Sequence, residues 1–237
     1  MNPIINLPAE HYLRLIKSGI PFSLSRFGDG EAACAFPLHW LKENCDGSKF
    51  LPDLIEPMKQ IFRNQYPYYH CLLRCSFDLN GDKFQSFLDE TCPDMDFYDG
   101  EMWQELSFSG NIHKLIEVIA PYHPVFIGAE HIHNVAFMHG LNEIGVIEIP
   151  AVDAFKKFNE IFDAVMRSHS FGKRMFLFSA GYSTKVLIDT LFPLIGHDST
   201  LCDVGSLFDP FCGKLSRDGM VASGFSKFQP FTKFKLI

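Results

Sequence analysis

The stretch SLSRFGDGEAACAF, residues 23–36, decides how this chain is read. Phe22, Leu24 and Arg26 alternate with Ser23, Ser25 and Phe27, the period-two pattern of a β-strand, and Gly28 breaks it. Asp29 and Glu31 flank Gly30 in the turn that follows, so two carboxylates stand at the exit of a strand. In an α/β sheet that position faces the ligand, because ligands bind outside the carboxyl ends of the strands.

The rhythm of strand, turn and helix recurs along the chain. Residues 9–18 carry Tyr12, Leu13, Leu15 and Ile16 on one side of a short helix, with Gly19 as its stop. Residues 31–66 read as two interrupted helices, broken by Pro37, Pro52 and Pro57, with a loop at Asp46-Gly47-Ser48. Further strands are predicted at 68–75, 123–130, 145–150, 174–181 and 200–206, and helices near 82–90, 111–119, 153–166 and 183–192. Asp153 is the expected N-cap of the helix over 153–166, whose Phe155, Phe158, Phe162 and Val165 form a core stripe. The sequence contains no internal repeat. Alternating β and α elements imply a Rossmann-like, mostly parallel sheet with helices on both faces. A chain of 237 residues suits one such domain, expected over residues 1–212, with an aromatic and basic tail over 213–237 packing on it.

Composition narrows the function. The chain is 47% hydrophobic with 25 phenylalanines, enough for a large core. Its net charge of −7 argues against sequence-independent nucleic-acid binding, which needs a basic face. An anionic ligand therefore requires local help, from helix N-termini or from a divalent cation held by carboxylates. Seven cysteines without a C-x-x-C pair read as reduced thiols in a cytoplasmic compartment. No apolar run reaches the length of a membrane span. In the tail, Phe225, Phe228, Phe231 and Phe234 alternate with Lys227, Lys233 and Lys235; these rings pack on the sheet or across a homodimer interface, or rest on an anionic lipid surface.

Four strand exits bring together small and polar residues: Arg26-Phe-Gly-Asp-Gly-Glu31, Gly128-Ala-Glu130, Ser179-Ala-Gly-Tyr-Ser-Thr-Lys185 and Asp203-Val-Gly-Ser206. The third has the look of a phosphate cradle without the full P-loop pattern; alternatively it is a tight turn in which Ser183 or Thr184 caps a helix. The first is either a pair of carboxylates converging on one hard cation or a solvated turn with Glu31 in a helix's first turn. A second Asp-Gly-Glu, at 99–101, lacks the clean strand before it and the arginine three residues before the Asp. His131-x-His133 reads as capping or surface histidines rather than a zinc site, and Cys71 with Cys75 lies in a strand-like run.

SLSRFGDGE resembles the signature of the GT-D class of glycosyltransferases, formerly a domain of unknown function, in which a D-x-E element is associated with the metal and the nucleotide-sugar diphosphate. FLFSAGYSTKVLIDTL looks like that family's late strand, glycine turn and helix, CDVGSLFDPF like its closing D-[IV]-G segment, and VFIGAE and IPAVDAFKKFNEI like its middle elements, in the same order over roughly residues 20–212. The resemblance implies a metal-dependent transfer of sugar from a nucleoside diphosphate donor, most simply a UDP-sugar, to a glycan or other hydroxyl acceptor, with Mn²⁺ or Mg²⁺ as cofactor. It makes Asp29 and Glu31 the D-x-E pair and has Arg26 and Gly28 shape the turn or meet phosphate. Ser179, Ala180, Gly181, Thr184 and Lys185 become donor contacts, with Gly128, Asp203, Gly205 and Ser206 nearby. Glu130, His131 and Asp209 are the candidates for the base that accepts the acceptor's proton. The chain departs from the family where Gly-Pro is replaced by Gly181-Tyr182 and Gly128-Ala129, and where a Gly-His-x-Asp element is replaced by Gly205-Ser-Leu-Phe-Asp209. A phosphohydrolase built on the same carboxylates and a non-catalytic nucleotide- or glycan-binding module are the competing readings.

Overall fold

The structure, a computed structural model, describes residues 3–216 apart from 39, 42, 44–46, 80, 139 and 142. The phenylalanine and lysine tail beyond 216, together with Cys45 and Asp46, lies outside the described residues.

Among the described residues, seven strands form one sheet: β1 (Ser23–Phe27), β2 (Tyr69–Leu72), β3 (Phe97–Asp99), β4 (Val125–Gly128), β5 (Gly145–Glu148), β6 (Met175–Ser179) and β7 (Thr200–Asp203). Their order is β3-β2-β1-β7-β6-β4-β5, and every pairing is parallel. Parallel pairing requires crossovers. Among the described residues, α1 (Ala9–Lys17) precedes the sheet, and the crossovers are made by α2 (Asp29–Ala35), α3 (Ile55–Asn64), α4 (Gly81–Thr91), α5 (Met102–Phe108), α6 (Ile112–Ile119), α7 (Phe158–His169) and α8 (Tyr182–Ile195), with the 3-10 helix Glu130–Phe137 between β4 and β5. The predicted α/β sheet with both faces covered is what the chain forms.

A parallel sheet covered on both faces needs apolar residues on both sides of each strand, which is why its strands read as continuous apolar runs. In β6, Phe176 and Phe178 enter the core under α2, α3, α4, α7 and α8, while Met175 and Leu177 enter the opposite core under α1, α5 and α6. β4 divides likewise, Val125 and Ile127 to the first core and Phe126 to the second. In α1, Tyr12, Leu13 and Ile16 are buried on the predicted face.

Three local expectations change. β3 and α5 follow one another across the second Asp-Gly-Glu, so that tripeptide also leaves a strand. The helix predicted over 153–166 begins as a 3-10 turn at Ala154–Lys157 and becomes α-helical only at Phe158. Asp153 does not cap it: with φ +54° its carboxylate accepts the Lys49 N–H at 2.9 Å and pairs with Lys156 Nζ at 2.7 Å, pinning a loop instead. Phe155, Phe158 and Phe162 are only half-buried against the core, whereas Val165 is buried.

A carboxylate lies against the first core. Asp189 of α8 accepts hydrogen bonds from Asn64 Nδ2 at 2.6 Å and from the Tyr68 hydroxyl at 3.2 Å, tying α8 to α3 and to the start of β2. Burial pushes the Asp189 carboxyl up to about 6, against the two hydrogen bonds that favour its charged form. Folding therefore favours the protonated acid, and that contribution, present below the ordinary aspartate range, is lost as pH rises through about 6. Asp189→Asn, which carries no charge at any pH, should gain on the wild type between pH 4 and pH 8 by roughly 2–3 kcal/mol, taking about 1.4 kcal/mol for each tenfold difference in proton affinity between the folded and unfolded chain. Urea unfolding at the two pH values measures this; a difference independent of pH would show that the carboxyl titrates normally.

Candidate functional site

β1, β7, β6 and β4 are consecutive in the sheet, so the four strand exits singled out in the sequence stand side by side. With neighbouring strands about 4.8 Å apart, they span roughly 14 Å of one sheet edge. Above them lies a cavity of about 440 Å³ lined by residues from all four exits, within the range of small-ligand sites.

Lys185 holds the floor of this cavity together. It lies in the first turn of α8, and its Nζ lies 3.0 Å from Glu31 Oε1 and 2.9 Å from Asp203 Oδ2. Burial alone would pull the ammonium down, but the Asp203 and Glu31 carboxylates outweigh it and hold the lysine above its ordinary value. Asp203, at the end of β7, also accepts the Arg26 N–H at Oδ2 (3.0 Å) and the Gly205 N–H at Oδ1 (3.0 Å). Gly205 adopts φ +52°, a left-handed turn that a side chain would strain, and it brings the chain back over the Arg26 guanidinium. Glu31, third residue of α2, reaches back with Oε2 to the Gly28 N–H at 2.8 Å. It is therefore a helix-start residue and a cavity residue at once.

Arg26 is the least satisfied group here. Its side chain is buried, yet among the described residues its guanidinium reaches only the Val204 carbonyl, at 3.5 Å through Nη1, and Nε has no partner. Asp29 opens α2 with Oδ1 accepting the Gly30 N–H at 2.9 Å, and Cys75 lies against it, its thiol pushed up to about 11 chiefly by burial. Gly181, at φ +55°, makes the turn from β6 into α8 with Ser179 and Ala180 beside it on the cavity wall. At the far side, His131 Nε2 lies 2.8 Å from Asp209 Oδ1.

The cavity gathers Arg26, Gly28, Asp29, Glu31, Ser179, Ala180, Gly181, Lys185, Asp203, Gly205, Ser206 and Asp209 as the sequence suggested. Three predicted residues stand apart from its lining. Thr184 is buried and closes the β6–α8 turn by accepting the Ala180 N–H at 3.0 Å. Gly128 packs on Ile132, where an added Cβ would come within 3.2 Å, and Glu130 points to solvent. Conversely, Glu101, Trp103, Gln104 and Ser107 from the β3 exit and α5 line the cavity although the sequence pattern did not single them out. The repeated Asp-Gly-Glu was their available signal. His133 is an exposed partner of Glu148, and among the described residues no three His, Cys, Asp or Glu side chains cluster as a metal site. All six described cysteines are free thiols, and no described helix is long and apolar enough to cross a membrane.

The fold is that of known proteins. The chain superposes on a solved structure described as a new glycosyltransferase (DUF1792) from Streptococcus sanguinis, with a TM-score of 0.64 at 17% identity, over 87% of this chain and 83% of that one. It also matches the highly conserved domain of unknown function 1792, described as having a distinct glycosyltransferase fold, with a TM-score of 0.63 at 17% identity, covering 87% and 79% of the two chains. No protein-family model and no curated protein matches the sequence. The likeness establishes a glycosyltransferase fold of this type.

Removing Lys185 leaves two carboxylates buried without their cation. Lys185→Met should cost about 3–5 kcal/mol of unfolding free energy, the usual cost of breaking a buried ion pair from one side. Adding Asp203→Asn should return part of that loss. Denaturant titrations of the wild type and the two variants test it, and a Lys185→Met protein as stable as the wild type would remove the ion pairs from the account of the fold.

Proposed function

We propose that this protein is a glycosyltransferase that moves a sugar from a nucleoside diphosphate sugar, a UDP-sugar first, to a hydroxyl of a glycan or glycoconjugate. The observation that carries this reading is the underused, buried Arg26 guanidinium at the floor of the cavity. A buried guanidinium with donors to spare matches the paired oxygens of a phosphate. In a chain of net charge −7 whose Lys185 is already matched by Glu31 and Asp203, the Arg26 guanidinium and the start of α8 supply the local donors that an anion needs.

The roles follow from placement. Arg26 donates to the diphosphate, Lys185 stands one turn into α8 beside it, and the tight backbone at Ala180-Gly181 and Gly205-Ser206 allows close approach of the nucleotide's phosphates. As the bond from the anomeric carbon to the phosphate oxygen breaks, negative charge grows on the leaving diphosphate, where these donors stabilise it. The hard oxygens of Asp29 and Glu31 suit Mg²⁺ or Mn²⁺, which are commonly held by one or two carboxylates with phosphates and water completing the shell. Those two residues would hold the ion, and it would neutralise diphosphate charge; Glu31 Oε1 shares its lone pairs with Lys185. The free thiols suit a reducing cytoplasm.

Calorimetric titration of UDP, with and without Mn²⁺, tests the reading. Arg26→Met should weaken UDP binding roughly 10- to 150-fold, the range for loss of charge-assisted hydrogen bonds of about 1.5–3 kcal/mol. Asp29→Ala/Glu31→Ala should abolish the Mn²⁺-dependent part. Equal affinity in all three proteins would overturn the assignment of the site. Release of phosphate from UDP regardless of any acceptor would favour the phosphohydrolase instead.

A further inference from the structure

The transfer reaction needs a group to take the acceptor's proton, and the arrangement of His131 and Asp209 bears on which one does so. His131 lies in the 3-10 helix Glu130–Phe137 after β4, and Asp209 follows β7. Asp209 is buried, and both its oxygens are occupied: Oδ1 by His131 Nε2 at 2.8 Å and Oδ2 by the Ser216 hydroxyl. Its backbone is fixed too, with its N–H on the Ser206 carbonyl at 3.1 Å and its carbonyl accepting the Lys214 N–H at 2.9 Å. A carboxylate held from every side is poorly placed to receive a proton from substrate. It is well placed to orient an imidazole, since accepting a hydrogen bond at Nε2–H fixes the neutral tautomer with its lone pair on Nδ1.

His131 has the complementary properties. Its side chain is 19% exposed, it lines the cavity, and Nδ1 has no hydrogen bond among the described residues. A second tie, Asn134 Nδ2 to the Cys212 carbonyl at 3.0 Å, clamps the same 3-10 helix to the segment carrying Asp209. His131 lines the same cavity as Arg26 and Lys185, so a diphosphate at the cations and an acceptor at the imidazole would share one space.

We propose that His131 is the general base of the transfer and that Asp209 is its positioning residue, a proposal that rests on the glycosyltransferase reading. The acceptor oxygen forms its bond to the anomeric carbon, and its proton moves to His131 Nδ1. The bond from that carbon to the diphosphate oxygen breaks, its electron pair leaving with the nucleoside diphosphate. Asp209 stabilises the imidazolium that forms. Glu130, exposed and outside the cavity lining, takes no part.

The test uses the full chain, a panel of UDP-sugars with and without oligosaccharide acceptors, and UDP calorimetry on every variant, each first shown to be folded by thermal unfolding. His131→Gln should lower turnover roughly 10²- to 10⁴-fold. Its UDP affinity should stay within about threefold of the wild type. His131→Ala should regain part of its rate in added imidazole, a rescue that a structural role would not give. Asp209→Asn should lower kcat with little change in donor KM. His131→Gln that retains a third or more of the wild-type rate, or a loss of rate without imidazole rescue, overturns the base while leaving the transferase standing. Wild-type protein that binds UDP and releases it from no donor also overturns the base and turns the reading toward a binding module. Wild-type protein that does not bind UDP overturns the function reading itself, and the base with it.

Discussion

The structure turns on one ammonium group. Lys185 satisfies two carboxylates that reach it from different parts of the sheet, Glu31 from the helix after β1 and Asp203 from the end of β7. A buried ion pair of this kind contributes little net stability, because desolvation offsets much of the attraction. Its force is specific rather than large: it admits one arrangement of the strand exits. Asp203 transmits the constraint into the backbone through the N–H groups of Arg26 and Gly205. Strand pairing, turn geometry and the floor of the cavity thus share a single set of atoms.

The same sharing runs through the opening stretch. Glu31 is an ordinary first-turn helix residue through Oε2 and a member of the charged floor through Oε1. The same economy appears in the turn before α8, where Thr184 closes the backbone while Lys185, one residue on, faces the carboxylates. Arg26 differs from these two, since among the described residues its guanidinium meets only the Val204 carbonyl and its Nε has no partner. In the lining of a ligand-sized cavity, that surplus points to a ligand.

Much of this was legible in the sequence because the informative residues sit at strand exits, where glycine, small polar residues and charges interrupt apolar runs. Four such interruptions identified the edge, which a parallel architecture makes common to all of them; that their strands are neighbours is set by the strand order, which no local pattern shows. β3 escaped because three residues are too few to show a period, and with it went Glu101, Trp103 and Gln104. Asp153 misled because aspartate serves equally as a cap and as a left-handed turn residue. The pairing of His131 with Asp209, across 78 residues, was beyond any local pattern: both were named as candidates for one role, and only their contact divides it between them.

The strand order also separates what must be kept from what is free to vary. The charged floor belongs to β1, β7 and β6 at the middle of the sheet, whereas part of the cavity wall comes from outlying segments, α5 after the edge strand β3 and residues 150–155 after the edge strand β5. These wall segments are not the ones that bond to Lys185 or Asp203. Floor and wall are thus anchored differently: the floor by ion pairs between central strands, and the α5 side of the wall by the packing of Met102, Trp103 and Leu106 into the second core. A change at an exposed rim position would alter the mouth of the cavity while leaving the charges beneath it bonded as they are.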